Sequence, residues 1–165
     1  MKYDLVKHNH MQLHTVAEDF DFSNPPVDPV DLACDLAETM LHYNGIGIAA
    51  NQCGLPYRCC VLYGEELIPM FNPRIVDTSI ESILLEEGCL SYPGILVKVR
   101  RAKKIRVRFT EPNGITSTKV FDGLTARIAQ HEIDHLDGLC YIDAASYIHR
   151  EKALKQIRAL DLKQI

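Results

Sequence analysis

The chain has 165 residues, 47% apolar and 24% charged, with 18 Lys and Arg against 22 Asp and Glu for a formal net charge of −4. That balance is the balance of one ordinary globular domain with its own core, and it excludes collagen, coiled coil, low-complexity disorder and extended repeats. Mild acidity speaks against a general binder of nucleic acid or anionic membrane, and no apolar run approaches the roughly 20 residues that span a bilayer.

Residues 1–26 read as polar and irregular. His8, His10 and His14 fall in this stretch and are expected on mobile polar surface rather than in a metal cluster. Met1 to His14 has no apolar core of the secretory type, so the protein is expected in the reducing cytoplasm. Its six cysteines, none in a Cys-x-x-Cys pair, then read as free thiols or metal ligands.

Asp28-Pro29 opens a first helix, with Asp as the cap and Pro in the first turn. Ala33, Leu36, Ala37, Met40 and Leu41 form its apolar stripe, and Asn44-Gly45 ends it. Arg58–Tyr63 and Ile68–Phe71 read as short strands. Lys104–Phe109 alternates Ile105, Val107 and Phe109 with Lys104, Arg106 and Arg108, then meets the turn signal Glu111-Pro112-Asn113-Gly114 and a returning strand over Ile115–Phe121. The basic run Lys98, Arg100, Arg101, Lys103, Lys104, Arg106 and Arg108 reads as the solvated face of these strands.

Leu124–Leu136 reads as a helix with Leu124, Ile128, His131 and His135 on its core face and Gly138 closing it. Ser146 to about Leu160 reads as an amphipathic helix buried through Ile148, Leu154, Ile157 and Leu160. The expected fold class is α+β: antiparallel or mixed sheets packed around the central helix, with one N-terminal and one C-terminal helix, in a single domain over residues 1–165.

The central helix carries His131-Glu132-Ile133-Asp134-His135, an HExxH motif. Residues four apart stack one turn above each other, so both imidazoles can share one metal. Glu132 lies about 100° around the helix, close enough to carry a proton beside that metal without ligating it. The motif thus supplies a Lewis acid, an activated water and a proton carrier. A catalytic site needs a third protein ligand. Zinc endopeptidases take theirs downstream, but Tyr141 stands at the third His position of the long HExxH motif, and Glu151 and Asp161 lack a suitable context. The ligand is therefore expected upstream, where Cys, His, Asp or Glu all serve. Cys89, on an irregular stretch between strands, reads by itself as a small buried hydrophobe. Gly45-Ile46-Gly47-Ile48-Ala49-Ala50 mimics a dinucleotide fingerprint but follows a helix, where that fingerprint opens one. Its residues read as backbone and amide donors near a substrate, or Gly45 as a helix cap.

Three segments together carry a resemblance. Gly45-Ile46-Gly47-Ile48-Ala49-Ala50-Asn51-Gln52, Glu87-Gly88-Cys89-Leu90-Ser91 and Gln130-His131-Glu132-Ile133-Asp134-His135 resemble, in order and spacing, the signature segments of the peptide deformylase family. The resemblance runs from about Asp28 to the end. Asn51 stands where Pro or Thr is frequent, and Cys140-Tyr141 replaces a more apolar pair. The resemblance implies a divalent metal held by Cys89, His131 and His135, with Fe(II) expected and Zn, Ni or Co able to take its place. It implies Glu132 as general base and acid, and the Gln52 amide and Leu90 backbone N–H as oxyanion donors. It implies Ile46, Gly47, Gly88, Leu90 and Ile128 as substrate contacts. The implied substrates are N-formyl-methionyl nascent peptides, deformylated to release formate by a cytoplasmic monomer with no membrane partner. Lys152, Lys155 and Arg158 on the last helix read first as a solvated face, and the ribosome contact that nascent-chain processing implies would fall to them. The competing readings are a zinc endopeptidase, which would tolerate loss of Cys89, and a non-catalytic metal or nucleotide module, which would leave Glu132 idle.

Overall fold

The structure, a computed structural model, describes residues 1–162. Helix α1 spans Pro29–His42. The Asp28 carboxylate accepts from the Val30 and Asp31 N–H groups at 2.9 and 3.0 Å, the expected cap. Leu32, Ala33, Leu36, Ala37 and Met40 are buried, whereas Leu41, counted in the stripe by spacing, is half exposed. Asn44 takes the left-handed conformation (φ 56°) that stops the helix, and Gly45 N–H then closes on Met40 O at 2.9 Å.

Strands β1 (Gly47–Ala49), β2 (Cys59–Tyr63), β3 (Leu67–Thr78), β6 (Lys104–Thr110) and β7 (Thr116–Asp122) form one antiparallel sheet in the order β1-β2-β3-β6-β7. Strands β4 (Ser82–Cys89) and β5 (Tyr92–Ala102) form a separate antiparallel hairpin. The β6–β7 hairpin matches its alternation. Strand β3 runs well beyond Phe71, because a register shift at Asn72-Pro73 lets it leave β2 and continue along β6.

Helix α2 (Gly123–Leu136) packs between the large sheet and the β4–β5 hairpin, and α3 (Tyr147–Leu162) lies against β5. Three expected core positions point the other way. Leu124 is 64% exposed, and α3 buries Ala153 and Ile157 while Ile148 and Leu160 face out. Among the described residues no helix is long and apolar enough to cross a membrane.

The N-terminal segment is more engaged than its polarity suggests. Leu13, Ala17 and Phe20 are buried, spaced as on one helix face although the segment from Thr15 to Phe20 is not helical. Val6 N–H donates to Gln52 O at 2.9 Å, and Met11–His14 forms a 3₁₀ turn. The three histidines do not converge, but neither are they loose surface. His10 Nδ1 accepts from Gln12 N–H, His14 bonds to His8 O, and the His8 ring packs on Tyr92.

Candidate metal centre

The site is assembled on α2, which is fixed at several points. Gln130 holds its middle to the end of β5: its Oε1 accepts from Ala102 N–H at 3.1 Å and its Nε2 donates to Ala102 O at 2.9 Å. The fully buried Arg58 holds its C-terminus. One guanidinium nitrogen donates to Leu136 O at 3.1 Å and to the Asp137 carboxylate at 2.7 Å, while the remaining N–H groups reach Pro73 O on β3. Asn51, also buried, donates to the main-chain carbonyl of His135. Helix ends with unpaired carbonyls need such donors, and here they immobilise the turn that carries His135.

Cys89 is the last residue of β4 rather than part of an irregular stretch. A register shift between Glu87 and Cys89 ends the ladder beside α2, the kind of irregularity that re-aims side chains at active sites. Cys89 Sγ lies 3.2 Å from His135 Nε2, and one donor atom from each of Cys89, His131 and His135 lies within 4.8 Å of the others. Among the described residues no other set of three or more His, Cys, Asp or Glu donors converges in this way. Neither downstream candidate approaches. The Tyr141 hydroxyl instead donates to Ile95 O at 2.7 Å, its ring packed against His131.

This donor set, one cysteine sulfur and two imidazoles, fits a first-row divalent ion, which these three side chains would hold and which would supply Lewis acidity. The support around it fits as well. His131 Nδ1 faces Glu87 Oε2 at 3.0 Å, which leaves Nε2 for the shared centre, the arrangement that orients metal-binding histidines. Burial holds the His135 imidazole well below its usual pKa, so it stays neutral. Burial also pulls His131 down, but Cys89 and Glu87 on either side outweigh it and bind its proton firmly. Cation binding has to displace that proton.

Glu87 is the residue that spacing alone leaves without a role. Arg101 grips it twice, at 3.0 and 3.1 Å, and Arg127 meets it at 2.5 Å. Arg127 also donates to Val99 O and Ile83 O, and Arg101 also pairs with Asp134. Burial pushes the Glu87 carboxyl up, yet the hydrogen bonds from His131 and Arg101 hold it at about 2. Arg101 therefore does not belong to the solvated basic face. It is buried, one of an adjacent pair of arginines in which strand alternation turns Arg100 out and Arg101 in.

The centre opens into a cleft of about 610 Å³ whose lining includes Ile46, Gly47, Gly88, Leu90 and Ile128, together with Gln52, Glu132 and Arg127. Leu124 lines this cleft from its exposed position, so its apolar side chain faces the opening rather than the core. Glu132 is buried, and its Oε2 has no protein partner. Burial raises its carboxyl to about 7, the charge of His131 opposing the rise. Gln52 sits in the 3₁₀ turn Ala50–Cys53, its Oε1 accepting from Ala49 N–H at 2.8 Å. A carboxyl poised near neutrality, an oriented amide and a three-donor centre thus share one apolar cleft.

The family model for polypeptide deformylase matches residues 2–151. The chain belongs to the peptide deformylase family. The match takes in the N-terminal segment that lies outside the three motifs, and it stops within α3. The peptide deformylase of Natranaerobius thermophilus is 44% identical over 123 residues, covering 73% of this chain and 79% of its own. That of Bartonella tribocorum is 38% identical over 146 residues, 81% of this chain and 82% of its own. The crystal structure of peptide deformylase from Thermus thermophilus superposes with a TM-score of 0.90 at 32% identity, over 96% of this chain and 95% of that one. As a peptide deformylase the chain is an enzyme, and the α+β class read from its sequence is the class of these structures.

Proposed function

We propose that this chain is a metal-dependent hydrolase that removes the formyl group from the N-terminal methionine of nascent polypeptides, releasing formate and a free amine. The observation that carries the reading is the convergence of Cys89, His131 and the fully buried His135, with Cys89, His131 and Glu132 lining one cleft, on a chain whose family is deformylase. We assign the three converging side chains as metal ligands. A divalent ion held by them supplies Lewis acidity and a nucleophilic water at neutral pH. Iron(II) is assigned on the family resemblance, and Zn, Ni or Co suit the same donors.

The chain's own residues divide the remaining work. Glu132, its carboxyl near 7, takes a proton from the attacking water and delivers it to the departing amine, so water is consumed and formate and amine leave in balance. The Gln52 amide and the Leu90 N–H face the developing oxyanion as preformed donors. Ile128 and the backbone of Ile46, Gly47 and Gly88 form the apolar bed for the methionine side chain and the edge along which an extended peptide lies.

Residues 1–165 act as one catalytic domain and, in this reading, as a monomer. The reaction belongs in the cytoplasm, where formylated N-termini emerge, and Lys152, Lys155 and Arg158 on α3 offer the ribosome a basic surface. Formate release from formyl-Met-Ala-Ser by anaerobically purified protein tests the reading. Release from that peptide, and none of acetate from acetyl-Met-Ala-Ser, is expected; cleavage of internal peptide bonds without formate release would assign an endopeptidase instead.

A further inference from the structure

Ser91 closes the second of the three motifs, yet the reaction described above gives it no task. Its side chain is buried, 4% exposed, in the turn between β4 and β5. Its Oγ lies 3.2 Å from Gln52 Nε2. The other end of the same amide is also held, because Gln52 Oε1 accepts from Ala49 N–H at 2.8 Å. That contact fixes which end of the amide is oxygen, since a backbone N–H requires an acceptor. The two hydrogens on Nε2 then have two destinations: Ser91 Oγ and, at a longer 3.5 Å, Cys89 Sγ on the floor of the cleft.

We propose that Ser91 is the positioning residue for Gln52: its Oγ takes one amide hydrogen and thereby leaves the other aimed into the cleft beside Cys89, where negative charge develops. This rests on the reading of Gln52 as an oxyanion donor. A donor accelerates a reaction to the extent that its direction is set before charge appears, and an amide held at one end only can turn away. Ala49 anchors the oxygen; Ser91 is the acceptor that anchors the nitrogen. The longer contact to sulfur is the one the oxyanion replaces. A serine that only stabilised the β4–β5 turn would act on folding, and its effect would not depend on what stands at position 52.

The test is steady-state formate release from formyl-Met-Ala-Ser by the metal-loaded enzyme, with Ser91→Ala, Gln52→Ala and the double variant, alongside thermal unfolding. Ser91→Ala is expected to lower kcat about five- to tenfold, the scale of one lost hydrogen bond, with KM unchanged and Tm lowered by at most a few degrees. Gln52→Ala is expected to lower kcat by about 10²–10³. In that background removal of the Ser91 hydroxyl changes kcat by less than about twofold. Ser91→Cys, which keeps a side chain in place but offers a much weaker acceptor, gives the same fall as alanine and secures the result if the alanine variant folds poorly. The same fractional loss in both backgrounds, or a loss confined to KM or Tm, overturns the role of Ser91 alone. Wild-type kcat in Gln52→Ala overturns the reading of Gln52 and the proposal with it.

Discussion

A Cβ atom added to Gly47 would stand 2.3 Å from Glu132 Oε1 and 2.7 Å from Ile128 Cγ2. Edge strand β1 and helix α2 therefore meet across a gap with no room for a methyl group, and the carboxylate that moves the proton lies against bare backbone. Gly47→Ala has to displace Glu132, Ile128 or the strand itself. Displacing a reacting group by about 1 Å costs on the order of 10²-fold, so kcat/KM is expected to fall about 100-fold. Circular dichroism is expected to stay close to wild type, with Tm lowered by several degrees, because overpacking the buried β1 against α2 costs about 1–3 kcal/mol.

Glu132→Gln is expected to lose about 10²–10⁴ in kcat while binding its metal, since the carboxylate is not one of the three ligands. The same change reports on pH. The folded carboxyl sits near 7 against an ordinary value of 4.5, so between those values the folded state holds more protons than the unfolded one. Stability therefore falls as pH rises from about 4.5 to 7. In chelator-treated protein, Glu132→Gln is expected to be more stable than wild type by about 2–3 kcal/mol at pH 8 and close to equal at pH 4.5, read from urea unfolding.

Glu87 has the opposite sign. Its folded value of about 2 lies below the ordinary 4.5, so its contribution is present above about 4.5 and is lost as pH falls toward 2. Glu87→Gln leaves the buried Arg101 and Arg127 without their shared anion, and a loss of about 3–5 kcal/mol at pH 7 is expected. The difference from wild type should narrow steadily in acid. His131 loses the group that orients its ring, so metal affinity measured by chelator competition is expected to drop about 10–100-fold.

How much of the fold and the site is legible in the sequence follows from physics at particular residues. Local signals carry far: Asp28 as a cap, the Ile105-Val107-Phe109 alternation and the stacked histidines each depend on neighbours a few residues apart. The β4–β5 hairpin leaves no such signal, because Glu86-Glu87-Gly88 and an outward Leu96 break the alternation. The network around Glu87 is hidden for another reason. Arg101 and Arg127 are charges whose burial depends on partners 14 and 40 residues away, and nothing local separates a buried, paired arginine from a solvated one. Cys89 becomes a candidate ligand through family resemblance, and its neighbourhood with His135 is a product of the fold.

Arg58 is a further case of that kind, placed in a strand by its neighbours and given no task. Arg58→Met removes the donors to Leu136 O and Pro73 O and the partner of Asp137. A destabilisation of about 3 kcal/mol is expected from the buried acceptors left unpaired. Arg58→Lys should recover little of it, since a single ammonium cannot reach β3 and the end of α2 with the guanidinium's fork. Urea unfolding of the three proteins measures both effects.

The most direct measurement is X-ray absorption on zinc-loaded protein. One sulfur near 2.3 Å and two imidazole nitrogens near 2.0–2.1 Å are expected, with the sulfur shell lost in Cys89→Ser. A wild-type spectrum with no sulfur in the first coordination sphere would contradict the account.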